Sequence, residues 1–260
     1  MANTWYFVTA IAPFVLFFLF IVNPAKAGEI RIAAGVGMKD VLNELTSRYE
    51  KKHPETRFSK NFAPSGVLAG QLENGAATDL FIAANTKWMN YVKEKHLVDE
   101  KSIRILAKNS LVFTGRTTKK VSGMKDLAYL DKIGLGSPKS VPAGEYAIMA
   151  IHQAGLDKKL KGKLVMARDV RESLMYAEMG EVDGSFVFLS DALLAIQSKT
   201  RFTVPQHLHP EIVFPMALTV KAISNAEAIS FHAYLQENEA KTVLKKYGFT
   251  VNHEVLSSSR

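Results

Sequence analysis

Cysteine is absent from all 260 residues. That excludes thiol catalysis, iron–sulfur clusters and cysteine-ligated zinc, and it leaves the hydrophobic core to hold the fold without disulfides. Past Val22 there is no apolar run of membrane-spanning length, so the bulk of the chain reads as soluble. A basic stripe is missing as well. The net charge is +8, but Lys and Arg are scattered, with only short clusters such as Lys158-Lys159 and Lys245-Lys246. Such a distribution attracts anions weakly and lacks the concentrated field of a nucleic-acid binder, so no nucleic-acid partner is expected. Catalytic signatures are equally scarce: there is no Gly-x-Ser-x-Gly elbow, no His-Glu-x-x-His run and no Walker loop. Gly35-Val36-Gly37 begins like a dinucleotide fingerprint, but Asp40 stands where its third glycine belongs. His207 and His209 lie two apart without a third ligand in view and read as a surface loop.

What is present begins with a leader. Trp5 to Val22 is nearly all apolar, and Ala25-Lys26-Ala27 supplies a small-x-small cleavage pattern. Residues 1–27 are therefore expected to be a secretory signal peptide, cut after Ala27, which places the mature chain in the periplasm. The alternative is a retained membrane anchor, since no Lys or Arg precedes Trp5 and the run is long; Pro13 within the run favours cleavage.

From Glu29 onward, strand-like runs alternate with amphipathic helical runs, the rhythm of an α/β protein with mostly parallel sheets and helices on both faces. Met38, Val41, Leu42, Leu45 and Tyr49 fall at i, i+3, i+4, i+7 and i+11, one face of a helix. Two strand-like runs, Ile103 to Leu106 and Ser110 to Thr114, almost abut, and Glu211 to Val220 is another extended run, expected to break at Pro215. Both suggest crossings between lobes. The expected division is a first lobe over 28–109, a second over 110–215, and a return to the first over 216–260, with a ligand cleft between the lobes.

In open α/β sheets, ligands lie beyond the carboxyl ends of strands, where loops feed helix starts. Five loops qualify: Gly35 to Met38, Ala63 to Gly66, Ser140 to Gly144, Arg168 to Arg171, and Phe188 to Asp191. The first N–H groups of a helix have no intrahelical partner, and the peptide dipoles place roughly +0.5 charge there, so each start suits an anion. In Asn61-Phe-Ala-Pro-Ser-Gly66, Ser65 adds a hydroxyl ahead of a helix expected near Val67; its plainer role is an N-cap. Pro142 is well placed at a first helical position, and the spacing of Asp169 and Glu172 resembles a capping box that leaves Val170 to present its N–H.

A family resemblance is carried by Asp79-Leu80-Phe81-Ile82-Ala83-Ala84 with Lys87-Trp88-Met89, Val141-Pro142-Ala143-Gly144-Glu145-Tyr146-Ala147, Asp169-Val170-Arg171, Ser190-Asp191-Ala192, and Lys246-Tyr247-Gly248-Phe249. Over about Glu29 to Val251 the chain resembles the periplasmic molybdate-binding proteins that feed an ATP-driven importer. The resemblance implies a two-lobed binding protein, not an enzyme. It would close on a dehydrated tetrahedral oxyanion, molybdate or tungstate, need no cofactor, act as a monomer and deliver its ligand to an ABC-type membrane permease. It also implies the binding positions: Ser65 by its hydroxyl, and Ala143 and Val170 by backbone N–H, all three touching the oxyanion's oxygens rather than the metal. Two positions depart from the pattern. Gly37 stands where the family has a serine, and Phe188 stands where it often has a tyrosine. Two lost donors to a charged ligand cost about 3–6 kcal/mol, roughly 10²- to 10⁴-fold in affinity, unless Lys39, Ser137, Lys139, Ser140, Arg171 or Ser190 supplies replacements. Two rivals therefore stand beside molybdate: a different oxyanion or small ligand in the same fold, and a Ser65-dependent hydrolase, which would need a histidine base close by.

Overall fold

The computed structural model describes Met1 and residues 28–251. Apart from Met1, the leader expected over residues 1–27 lies outside the described residues, as do residues 252–260 with His253.

The elements run β1 (Glu29–Gly35), α1 (Lys39–Lys52), β2 (Arg57–Ala63), α2 (Ser65–Glu73), β3 (Leu80–Ile82), α3 (Thr86–Glu94), β4 (Arg104–Asn109), β5 (Leu111–Gly115), β6 (Ile133–Gly136), α4 (Pro142–Gln153), α5 (Asp157–Leu160), β7 (Leu164–Ala167), α6 (Val170–Met179), β8 (Gly184–Phe188), α7 (Leu189–Ala192), β9 (Lys199–Thr203), β10 (Ile212–Leu218), α8 (Ala226–Tyr234) and α9 (Asn238–Lys246). Two five-stranded sheets result, ordered β2-β1-β3-β10-β4 and β7-β6-β8-β5-β9.

Each sheet is mostly parallel in direction, with one strand, β10 or β5, running against its neighbours. β1 pairs in parallel with β2 and β3, and β6 with β7 and β8, through helical crossovers. The strands that carry the chain between lobes reverse direction: β10 lies antiparallel to β3 and β4, and β5 antiparallel to β8 and β9. Ser110 alone separates β4 of the first sheet from β5 of the second. The return is made by β10, which begins at Ile212, so residues 212–215, expected in the second lobe, belong to the first sheet. Nor does Pro215 break this strand. The register shifts between Phe214 and Pro215, and the Pro215 carbonyl accepts from the Ala83 N–H at 3.0 Å. A proline without an N–H is tolerated in a central strand at such an irregularity.

The first sheet is covered on both faces, which explains why β3 is apolar without alternation. Leu80 and Ile82 pack with Val41, Leu42 and Leu45 of α1, while Phe81 packs with Leu68 and Leu72 of α2 and Met89 and Val92 of α3. The expected helical face is seen: Met38, Val41, Leu42, Leu45 and Tyr49 are all buried. Tyr49 and Phe58 also meet Phe231 of α8 edge-on at 5.1 and 4.6 Å, fastening the returning segment to the first lobe. In the second lobe Phe113 of β5 meets Phe186 of β8 edge-on at 5.2 Å and stacks on Phe202 of β9 at 5.6 Å. The carboxyl ends of β1, β2, β6, β7 and β8 feed the five loops named above.

Candidate functional site

All five loops meet in one small cleft. It holds ≈ 270 Å³ of open space and is lined by Gly35, Val36, Gly37, Pro64, Ser65, Ala84, Val141, Pro142, Ala143, Val170, Phe188 and Phe214. Gly37, Ser65, Ala143, Val170 and Phe188, singled out from sequence, are among them. The space is far smaller than pockets that take drug-sized ligands, so the fit is to one small guest. No Lys, Arg, Asp, Glu or His lines it.

α2 starts at Ser65, not Val67. Its N-cap is Pro64, and no side chain caps it. The cap role for Ser65 is thereby ruled out. The Ser65 hydroxyl, wholly buried, instead accepts the Ala84 N–H at 3.0 Å. With its oxygen taken by a backbone donor, the hydroxyl has its own hydrogen left to donate.

α4 is likewise uncapped by any side chain. Pro142 occupies its first turn and has no N–H, so Ala143 is the first residue there with a donor to offer. The helix start is pressed against the end of β6: a Cβ on Gly144 would fall 1.8 Å from the Gly136 carbonyl oxygen, so only glycine permits this approach. At α6 the Asp169 carboxylate accepts from the N–H groups of Arg171 and Glu172 at 2.8 and 2.9 Å. Glu172 reaches back one residue further than in a standard capping box, accepting from the Arg168 N–H at 2.5 Å. The N–H of Val170 is left uncapped beside the cleft.

Gly37 lies in a short 3-10 turn, Val36–Met38, ahead of α1. A Cβ at this position would stand 3.2 Å from both carboxylate oxygens of Asp191. A serine there must therefore fit beside a carboxylate able to compete for its hydrogen. Asp191 is wholly buried; burial pushes its carboxyl up to about 6, against the pull of the neighbouring Arg171 guanidinium. Arg171 Nε approaches Asp191 Oδ1 at 2.7 Å as an ionic contact without hydrogen-bond alignment, and its Nη2 donates to Asp40 at 2.7 Å. Phe188, 2 % exposed, stacks edge-on with Phe214 at 5.4 Å and Tyr146 at 6.3 Å and brings no polar hydrogen.

None of Lys39, Ser137, Lys139, Ser140, Ser190 and Arg171, considered as replacement donors, lines the cleft. Arg171 is committed to the two aspartates, and the Ser190 hydroxyl accepts from Asn109 at 2.8 Å. Sequence reasoning missed Asp191 and Asp40 as the partners that hold Arg171 away, and it missed Phe214 and Ala84 as lining. His209 is buried rather than in a surface loop; its Nδ1 lies 2.8 Å from the Pro210 carbonyl oxygen, while exposed His207 lies in the 3-10 turn that ends just before it. Among the described residues no cluster of His, Asp and Glu is arranged to hold a metal.

Two α/β lobes closing helix starts on an uncharged cleft define the class of extracytoplasmic solute-binding proteins. The chain belongs to the bacterial extracellular solute-binding protein family, whose model matches residues 30–250. It is similar to the molybdate-binding protein ModA of Haemophilus influenzae, 33% identical over 234 residues that cover 87% of this chain and 91% of that protein. It is also 34% identical over 227 residues to the putative ABC transporter substrate-binding lipoprotein YvgL of Bacillus subtilis, with 86% and 87% covered. Among solved structures it resembles the substrate-binding domain of a putative molybdenum ABC transporter from Clostridium difficile, at 31% identity and a TM-score of 0.70, covering 86% of this chain and 99% of that one.

Proposed function

We propose that this protein captures a tetrahedral oxyanion, molybdate or tungstate, and hands it to an ABC-type membrane importer from the periplasmic side, after export on residues 1–27 as a signal peptide. In this reading it acts as a monomer, carries no cofactor and performs no chemical step. The lobe built on 28–109 and the return segment closes against the lobe between them. The Ser65 hydroxyl and the N–H groups of Ala143, Val170 and Gly37 then surround the guest, with Phe188 as an apolar wall.

The observation that carries the reading is a buried cleft with helix starts and no charged side chain on its lining. Neutral donors fixed in place stabilise a dehydrated anion strongly in a low-dielectric site, without a cation to compete for water. Cavity size and donor number then set selectivity. The names of the similar proteins support the choice of molybdate. A second reading, another anion in the same cleft, is favoured by Gly37 and Phe188, which remove two hydroxyls. Hydrolysis at Ser65 has less support, because no histidine lines the cleft.

Calorimetric titration with molybdate, tungstate, sulfate, phosphate and chromate tests the proposal. One-to-one binding in which molybdate and tungstate are tightest is expected. A tighter response to another anion moves the assignment to that anion, and ester turnover lost in Ser65→Ala, with no oxyanion response, would replace binding by hydrolysis.

A further inference from the structure

Glu145 lies on α4 of the second lobe, two residues beyond Ala143. Its side chain is 6 % exposed, yet it forms no part of the cleft lining. Its carboxylate draws its partners from the first lobe. Asn85 Nδ2 donates to Oε2 at 3.1 Å, Trp88 Nε1 donates to Oε1 at 2.9 Å, and Lys87 Nζ stands 3.2 Å from Oε1. These donors are held in position. Asn85 is the N-cap of α3, its Oδ1 accepting the Trp88 N–H at 3.1 Å, which aims its amide hydrogens at Glu145. The Trp88 ring covers Gly66, where a Cβ would fall 2.6 Å from it, and the Gly66 N–H donates to the Ser140 carbonyl of the opposite lobe at 3.1 Å.

We propose that Glu145 is the latch of the closed form: a positioning residue that holds the two lobes together over the guest and slows its release without touching it. The inference rests on the binding-protein reading above. The contacts exist only while the lobes meet, and separating them returns a buried carboxylate and an indole N–H to water. Two charge-assisted hydrogen bonds to a buried carboxylate, with an exposed Lys87 beside it, are strong enough to bias the balance between open and closed forms. The alternative, a purely local charge effect, has the opposite sign. A carboxylate in the first turn of α4 opposes an anion at the same helix start, so its neutralisation alone should tighten binding.

Cleavage of the leader after Ala27 removes Trp5 and leaves Trp88 as the sole tryptophan of the mature protein. In this protein Glu145→Gln is expected to release molybdate about 10- to 100-fold faster in stopped-flow, with association changed by less than about threefold. Trp88→Phe, followed by displacement calorimetry, removes one donor and is expected to weaken binding about 3- to 10-fold, which keeps the test open should Glu145→Gln fold poorly. Acrylamide quenching of Trp88 needs no ligand. It is expected to be stronger in free Glu145→Gln than in its parent, because fewer molecules are closed. Unchanged or slower release from Glu145→Gln overturns the latch. Where no oxyanion binds the parent, the ligand assignment fails, and equal quenching of the two ligand-free proteins overturns the latch independently.

Discussion

Ser65, Ala143 and Val170 stand at the starts of α2, α4 and α6, whereas Gly37 keeps a backbone N–H but no hydroxyl and Phe188 presents a ring, although all five line the same space. The first group consists of helix starts whose caps are absent or committed elsewhere: Pro64 and Val141 cap with no side chain, and Asp169 is spent on Arg171 and Glu172. The second group is shaped by packing. Gly37 abuts the Asp191 carboxylate, and Phe188 belongs to an aromatic row running through Phe214 to Phe249. In the proposed reading the donors set binding strength while Phe188 limits the size of the cavity, so the two can be altered separately.

Removing a donor is the harshest way to break this contrast. Ser65→Ala is expected to weaken molybdate binding roughly 10- to 150-fold by calorimetry, since a hydrogen bond to a charged group is worth about 1.5–3 kcal/mol. It also leaves the buried Ala84 N–H without its acceptor, so thermal melting should fall by an amount equivalent to about 1–3 kcal/mol. An equal affinity in the variant would remove Ser65 from the donor set.

Val170→Pro separates the donor from the fold. Proline suits the first helical position, and Asp169 before it is already extended, at φ −151° and ψ 177°. Affinity should drop about tenfold or more with little change in melting temperature; a loss of both together would mean that packing, not the N–H, had been disturbed.

Phe188→Tyr sharpens the contrast from the other side. A hydroxyl added to the apolar wall is expected to tighten molybdate binding about 3- to 10-fold. Weaker binding of molybdate but tighter binding of a smaller anion would show that the ring sets size alone.

The smallest effect lies far from the cleft and should leave it untouched. The hydrogen bond from Lys246, opposed by desolvation and aided by Tyr247 and Arg48, holds the Glu44 carboxyl at about 2. The unfolded value is about 4.3, so this stabilisation is complete above that pH and is lost as pH falls through about 2. For a pair near the surface it amounts to less than about 1 kcal/mol. Glu44→Gln should flatten the acid limb of the urea midpoint between about pH 5 and 2 while molybdate affinity at pH 7 stays the same.

Much of this was legible in the sequence because it follows from local rules. The face of α1, the strand-to-helix rhythm and the five loop positions depend on periodicity and turn chemistry. What escaped depends on distant partners. The antiparallel strands could not be read because direction is set by where the chain re-enters a sheet, and β10 keeps its strand through Pro215 only because a register shift and neighbours on both sides support it. Ser65 looked like a cap since its acceptor role requires Ala84, 19 residues away. Arg171 looked available to an anion until Asp40 and Asp191, contributed by α1 and α7, accounted for its charge.

Backbone amide shifts recorded by heteronuclear NMR during molybdate addition test the central claim most directly. The account predicts that the N–H resonances of Gly37 from one lobe and Ala143 and Val170 from the other move together and saturate at one molybdate per chain. Shifts confined to one lobe, or centred on lysine and arginine side chains at the surface, would contradict it.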